Sequence, residues 1–490
     1  MAQHTTEIRQ TTAFNLSPVG QEMILIVTSD LCVANEQNVK FCCTITVFTS
    51  NLPSSETVIG TFKTTPNNAG VGIFDIRSII ENTVSADNLA ATRSTWKQAG
   101  NRKKLVPMHI IDKFSLSPNS IKYCQVQAYT EFTDADGVLI ETDTVFAFRS
   151  LIFNGYVKHN NLLKWVNPVQ WGSAQGFGFE MSDFAIKVGT TRKLLSNSPS
   201  TQWAGSGDYG TMSYIAKNSL ELPGNFNQDV RAVRFTLYDE YDAGGVSSGT
   251  VNLYVTAGNA AFDATAVIQG GEYSEYILQF GAFPANVKTW SDTFNTELAG
   301  DLKSYTIGLY DGTPTLISEE KIVNILCPNL KGFEQVRLGW LNQWGTWDYY
   351  TFNQKSIKTI STKGTTYDQL EGTWNDTLYE PYGYKGGKKS FRVNATEKIK
   401  MNTDFVTEEH SDWFEELINS PEVYIIKGWE SPRKYTSVLT QGEPFGLMSQ
   451  YATPVRLTTT SLTKKTVAND KLIQYTFEVE KSQTLRTQAI

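Results

Sequence analysis

The chain has 490 residues, with 43 Lys and Arg against 50 Asp and Glu, a formal net charge of -7 and a pI of about 5.4. That length exceeds one ordinary core and calls for several domains. The acidic balance argues against nucleic acid as a direct ligand, because phosphate neutralisation needs clustered basic side chains, and no apolar run reaches the roughly eighteen residues of a transmembrane helix.

Aromatic residues make up 12% and charged residues only 19%, with Thr, Ser, Asn and Gly plentiful. Such a balance suits strands and turns, so the expected fold is mainly β, as several β-sandwich-like domains with long hairpins. The five cysteines, Cys32, Cys42, Cys43, Cys124 and Cys327, are odd in number and show no metal-ligand spacing. They read as small buried hydrophobes in a protein made at a reducing site. Met1 to Asn15 is polar, without an apolar core of signal-peptide length.

The first region, 1–157, opens with that polar arm and continues with strands at Met23 to Val27 and Val39 to Thr49. Phe74 to Ile80 reads as a strand leading into a short helix. Tyr123 to Phe132 alternates, placing Cys124, Val126, Ala128 and Thr130 on one face. Asp134-Ala135-Asp136-Gly137 is a turn after which Val138 to Phe153 returns as a long partner strand. The basic knot Arg102-Lys103-Lys104 reads as a solvated turn.

The second region, 158–330, repeats that logic. Val233 to Tyr241 leads into Asp242-Ala243-Gly244-Gly245-Val246, much as Phe132 leads into Asp134 to Val138. Duplicated sandwiches and convergent hairpins both account for the match. A further hairpin is expected from Tyr305 to Asn324 around Asp311-Gly312.

The third region, 331–490, carries the densest signal in the chain. Six of the fourteen residues from Gly339 to Phe352 are aromatic, and Gly345 offers a turn or bulge. Thr365 to Lys389 reads as a looped stretch rich in Tyr and Gly. A helix is expected from Thr407 to Asn419, with Trp413 and Leu417, and Phe414 and Ile418, stacked one turn apart. Thr407 or Ser411 would cap it and Ser420-Pro421 would end it. The strand Val423 to Ile426 follows. Pro454 to Thr466 and Leu472 to Val479 form a last hairpin, in which Ile473, Tyr475, Phe477 and Val479 share the covered face.

Chemistry is sparse. None of His4, His109, His159 and His410 lies in a nucleophile elbow, a zinc helix or an HxH pair, and His410 falls on the outer side of its helix. Asp239/Glu240, Glu319/Glu320, Glu408/Glu409 and Glu415/Glu416 are adjacent acids of the kind that a solvated turn or helix face also shows. A glycosidase would need two of them across a cleft, about 5 to 9.5 Å apart. Gly205 to Gly210 lacks the frame of a phosphate loop. Trp340, Trp344, Trp347, Tyr349 and Tyr350 are candidate glycan or partner contacts, since sugar faces dock on flat rings. Core packing makes the same demand on them and is favoured. Exposure separates the two: a platform needs at least two rings open. No catalytic residue, metal or cofactor is expected.

The order Leu-Asn-x-x-Gly-x-Trp-Asp-Tyr-x-x-Phe from Leu341 to Phe352 resembles segments in virion structural proteins of tailed bacteriophages, of the kind found in phages of Bacteroidetes and marine bacteria. The C-terminal order is similar too: the helix, Ser420 to Tyr424, then Ile473 to Glu480. About forty residues match closely and the rest in loose outline. The resemblance implies a non-enzymatic subunit of a tail, baseplate, neck or capsid-decoration layer, assembled in the host cytoplasm and located in the virion. Its implied partners are other copies of itself and other virion proteins, with a host cell-surface glycan or receptor as the alternative. A glycan depolymerase ranks below these, and a secreted adhesin lower still. The arm Ala2 to Asn15 is expected to order only on a neighbour.

Overall fold

The computed structural model describes residues 4–11, 16–48, 56–89, 107–157, 193–215, 230, 232–254, 277–310, 315–326, 333–373, 377–381, 386–427, 452–464, 473–483 and 485–486. Strands dominate, arranged in five sheets. The chain is mainly β, with β-sandwich-like packing as the composition implies.

In the first sandwich the large sheet runs Leu16–Pro18, Val145–Phe153, Ile121–Thr133, Gln37–Phe48, Glu56–Thr64. A small sheet of Glu7–Gln10, Ile24–Thr28 and Val71–Asp75 covers one face. Leu25, Val27 and Phe74 from the small sheet meet Cys43, Cys124 and Val126 from the large one. Alternation is the cause: Cys124, Val126, Ala128 and Thr130 are all buried. The return of Val138 to Phe153 is broken in two. Leu139–Glu141 and Val145–Phe153 both pair with Ile121–Thr133, and the register shifts between Phe146 and Phe148.

In the second sandwich the large sheet runs Thr201–Gly205, Lys321–Leu326, Ser304–Tyr310, Ala232–Tyr238, Gly249–Tyr254. Its small sheet joins Thr211–Ile215, Ile277–Gly281 and Phe114–Ser117, so a strand early in the chain pairs with one late in the second region.

The two large sheets share a topology. In each, an early edge strand lies parallel to the last strand of the sandwich. The next-to-last strand and a sequential hairpin follow antiparallel. The two small sheets agree as well. Ile24–Thr28 pairs with Val71–Asp75 as Thr211–Ile215 pairs with Ile277–Gly281, and short helices follow each, Arg77–Ile80 and Pro284–Val287. The recurrence is topological, and it does not align the two turns matched in the sequence. The turn after Thr133 corresponds to the link after Tyr310, not to the turn at Asp242. Similar turn chemistry at Asp134 and Asp242 reflects hairpin geometry alone.

The third sheet runs Trp347–Phe352, Val336–Leu341, Val423–Ile426, Ala452–Leu457, Thr476–Lys481, Gly387–Asn402, Ile357–Gln369. The helix Glu409–Asn419 packs Trp413, Phe414 and Leu417 on one face of it. The helix begins two residues later than expected and neither proposed cap serves it. Glu408 holds the capping position without a side-chain bond, and Ser411 lies inside the helix, buried. Thr407 instead hydrogen-bonds the His410 ring at 3.0 Å.

The N-terminal arm also departs from expectation. Glu7–Gln10 pairs with Ile24–Thr28, and the buried Thr6 hydroxyl bonds those of Thr130 and Thr142, both at 2.7 Å. These residues order on their own sandwich. Cys32, Cys42, Cys43 and Cys124 are buried free thiols. Cys327, His159, the knot Arg102 to Lys104 and the turns at Asp311 and Ala468 lie outside the described residues.

Candidate functional site

The aromatic segment forms two paired strands, Val336–Leu341 and Trp347–Phe352, joined by a tight turn. Both of its faces are covered, so alternation sends successive side chains into different cores. Trp347 and Tyr349 enter the core of the second sandwich, while Trp340 and Phe352 enter the core under the helix. Across that second face Trp340 meets Trp413 at 4.9 Å and Tyr350 meets Phe414 at 5.0 Å. The turn adds a third junction. Asn342 Oδ1 accepts from the backbone N–H groups of Trp344 and Thr346 at 3.0 and 3.1 Å. Trp344 then packs against Phe48, Tyr123 and Phe153 of the first sandwich and Leu195 and Ile215 of the second.

The five aromatic contact candidates are therefore spent on packing. Trp340 and Trp344 are 0% exposed, Trp347 and Tyr349 2%, and Tyr350 is half-buried. A ring platform open to a sugar is absent here, because three cores meet on this one segment.

The polar groups around it are shut in as well. Arg337 is buried under the Phe283 ring, 4.2 Å from its centroid, and donates to Tyr209 O at 2.6 Å and to Thr351 Oγ1 at 2.7 Å. Asp208 stands 3.5 Å from the guanidinium and accepts from Thr351 at 2.6 Å and from the Gly205 N–H at 2.7 Å. The Gly205 to Gly210 loop is thus an arginine clamp; it presents a carboxylate where a phosphate cradle would present N–H groups. Burial pulls the Arg337 pKa down while Asp208 opposes the shift. His109 is buried against Tyr349 Oη at 2.9 Å, and burial lowers its pKa to about 3.

His410 is not on an outer side. It is half-buried beside Trp413 and Phe414, with burial lowering its pKa to about 4. His4 pairs with Glu36 at 3.1 Å. Among the acid pairs, Asp239, Glu240, Glu408 and Glu409 are exposed. Glu319 accepts from the Leu194 N–H at 3.2 Å, Glu415 pairs with Lys464 at 2.6 Å, and the buried Glu416 accepts from Asn197. Among the described residues no group of three or more His, Cys, Asp or Glu side chains is placed to hold a metal ion, and no helix is long and apolar enough to cross a membrane.

The surface that stands open lies at the other end of the third sheet. Ile357–Gln369 pairs with Gly387–Asn402 as a long ribbon. Only its base, at Ile399 and Met401, enters a core. Beyond that base Ile360 is 63% exposed and Phe391 57%, with Val393 and Tyr367 also open. Of the 25 large apolar side chains exposed among the described residues, eight lie between Ile357 and Val393, so exposed apolar surface is concentrated on this ribbon. Thr365 to Lys389, expected to be looped, contains the ends of both ribbon strands, residues 365–369 and 387–389. The signal was present in Phe391, Val393, Ala395, Ile399 and Met401, which alternate.

No protein-family model matches the chain, and no curated protein matches it.

Proposed function

We propose that the chain is a non-enzymatic structural subunit of a tailed-bacteriophage particle, in its tail, baseplate or neck, which assembles with copies of itself and with other virion proteins. The observation that carries this reading is the projecting ribbon. Two long strands with most side chains in solvent and apolar residues open along them suit coverage by another chain. Among the described residues its outer strand Ile357–Gln369 is also the edge of its sheet, a row that a neighbour can extend. The likeness of Leu341 to Phe352 and of the C-terminal order to phage virion proteins supplies the particle. The aromatic junction supports the same role, since a subunit that bears load in a particle gains from cores locked together.

Two measurements test it. Mass spectrometry of particles purified from an infected culture is expected to find the chain in fixed ratio to the other structural proteins. Light scattering of the purified chain, alone and with those proteins, is expected to show a closed oligomer or a monomer that assembles on mixing. A chain that is absent from particles and indifferent to their proteins overturns the proposal.

A host-facing adaptor is the second reading, favoured by Leu378 and Tyr379, exposed between the two ribbon strands. It predicts that Tyr379→Ala abolishes adsorption to host cells while leaving particle assembly intact.

A further inference from the structure

Charge is distributed unevenly between ribbon and body. The two ribbon strands hold seven Lys and Arg against two Asp and Glu, in a chain where acids outnumber bases. Register sorts them by face. Thr359 lies opposite Lys398, Lys363 opposite Asn394 and Thr365 opposite Arg392. One face of the ribbon therefore carries Lys363 and Arg392 with Ile357 and no acid of its own two strands, while Ile360 and Val393 alternate onto the other. Lys398, at the base of that first face, is paired with Glu478 of the next strand at 3.4 Å. Phe391, at the register shift, meets the Tyr367 ring of the same first face.

The first sandwich holds the complement. From Glu131 to Asp143 there are five acids and no Lys or Arg. Glu131 is neutralised by Lys63, whereas Asp136, Glu141 and Asp143 are exposed. Pairing sets the side chains that accompany them: Leu139 lies opposite Thr133, Glu141 opposite Glu131 and Phe146 opposite Gln127. Leu139, Glu141 and Phe146 thus share the face turned away from the core, and Leu139 is 60% and Phe146 53% exposed. Exposed apolar groups beside carboxylates that have no ion pair among the described residues suit long basic side chains, whose aliphatic stems cover rings while their heads reach the acids. Ribbon and hairpin are both open within a single chain, so neither covers the other.

We propose that the basic face of the ribbon docks on the outer face of the Glu131 to Asp143 hairpin of a second copy of this chain, a head-to-tail contact that can repeat around a ring. This deepens the assembly half of the function proposed above and rests on it. Ile360 and Val393, on the opposite face, take no part in this contact and stay free for a different neighbour.

Reciprocal charge reversal tests it, read as self-association by sedimentation or light scattering of the purified full chain. Lys363→Glu with Arg392→Glu, and separately Glu141→Lys with Asp143→Lys, are each expected to weaken association by about tenfold or more. Carrying both reversals in one chain is expected to restore it. Added salt is expected to weaken the unaltered chain, a readout that needs no variant to fold. Circular dichroism of each variant verifies the fold. Association that ignores the hairpin reversal, or that the combined reversal fails to restore, overturns the contact, as does a chain that stays monomeric at every concentration. Failure here is distinct from failure of the phage assignment. Particles that contain the chain while the reversals change nothing remove only the contact; reversals that behave as stated in a chain missing from particles remove only the assignment.

Discussion

Trp413 donates its indole N–H to the carboxylate of Asp348 at 2.7 Å, tying the C-terminal helix to the aromatic strand. Asp348 is buried, and burial raises its pKa while bonds from Ser196, Trp413 and Asn342 lower it. Replacing Trp413 with Phe keeps most of the packing but removes a donor from a buried acceptor. Chemical denaturation is expected to show a loss of about 1–3 kcal/mol. Asp348→Asn keeps an acceptor oxygen and is expected to cost less.

His109 sets a dependence on pH. Its folded pKa of about 3 lies below the ordinary 6.5, because burial disfavours the charged ring. Above 6.5 both states are neutral and no cost arises. Below it the unfolded chain binds a proton that the folded chain refuses, so stability falls toward pH 3 by up to about 1.4 kcal/mol per pH unit. His410, lowered to about 4, acts in the same direction. Asp87 and Asp348, both raised by burial, act oppositely, gaining stability as pH drops through their folded values. Urea midpoints between pH 6.5 and 5 are expected to fall, and His109→Gln, which keeps a partner for Tyr349, is expected to flatten that slope.

Two glycines with positive φ separate strain from collision. Gly137 has φ +77 and a Cβ there would meet nothing within 4 Å, so Gly137→Ala is expected to cost only the backbone term, about 1 kcal/mol. Gly345 has φ +71 and a Cβ would stand 2.0 Å from Asn154 O. Gly345→Ala is expected to cost at least about 2 kcal/mol more than Gly137→Ala, measured by thermal unfolding.

Arg337 and Asp208 are the interior ion pair most exposed to mutation. Arg337→Met removes the positive charge beside Asp208, which keeps its bonds from Thr351 and Gly205, and takes the guanidinium donor from Tyr209 O, and a loss of about 3–5 kcal/mol is expected. Equilibrium denaturation reads it directly.

Stability and assembly are expected to separate along the third sheet. Trp344→Ala empties a junction shared by two sandwiches and is expected to cost about 3–5 kcal/mol. Phe391→Ser and Tyr367→Ser, on exposed ribbon positions, are expected to stay within about 0.5 kcal/mol of the parent. The same two substitutions are expected to reduce co-assembly with particle proteins in light scattering.

Local periodicity was legible from the residues alone. Ile473, Tyr475, Phe477 and Val479 alternate in the sequence and all four are buried, and Val423 to Ile426 is a strand with the bounds the apolar run implies. Alternation is a property of the backbone, so it is written into the chain wherever one face is wet and the other dry. The tertiary structure decided what lay beyond that period. Trp347–Phe352 has both faces covered, so no polar face marks which core each ring would join. Pairing between Phe114–Ser117 and Ile277–Gly281 spans more than a hundred residues and leaves no local trace. His410 lies three and four residues before Trp413 and Phe414, so the helix period places it on their face, and Tyr350 of the neighbouring strand covers all three. The ribbon shows the reverse: its alternation resembles that of a buried strand, and its exposure follows from the lack of any described element across its outer half. Sequence fixes which side chains share a face, but the covering of that face depends on the sum of distant contacts.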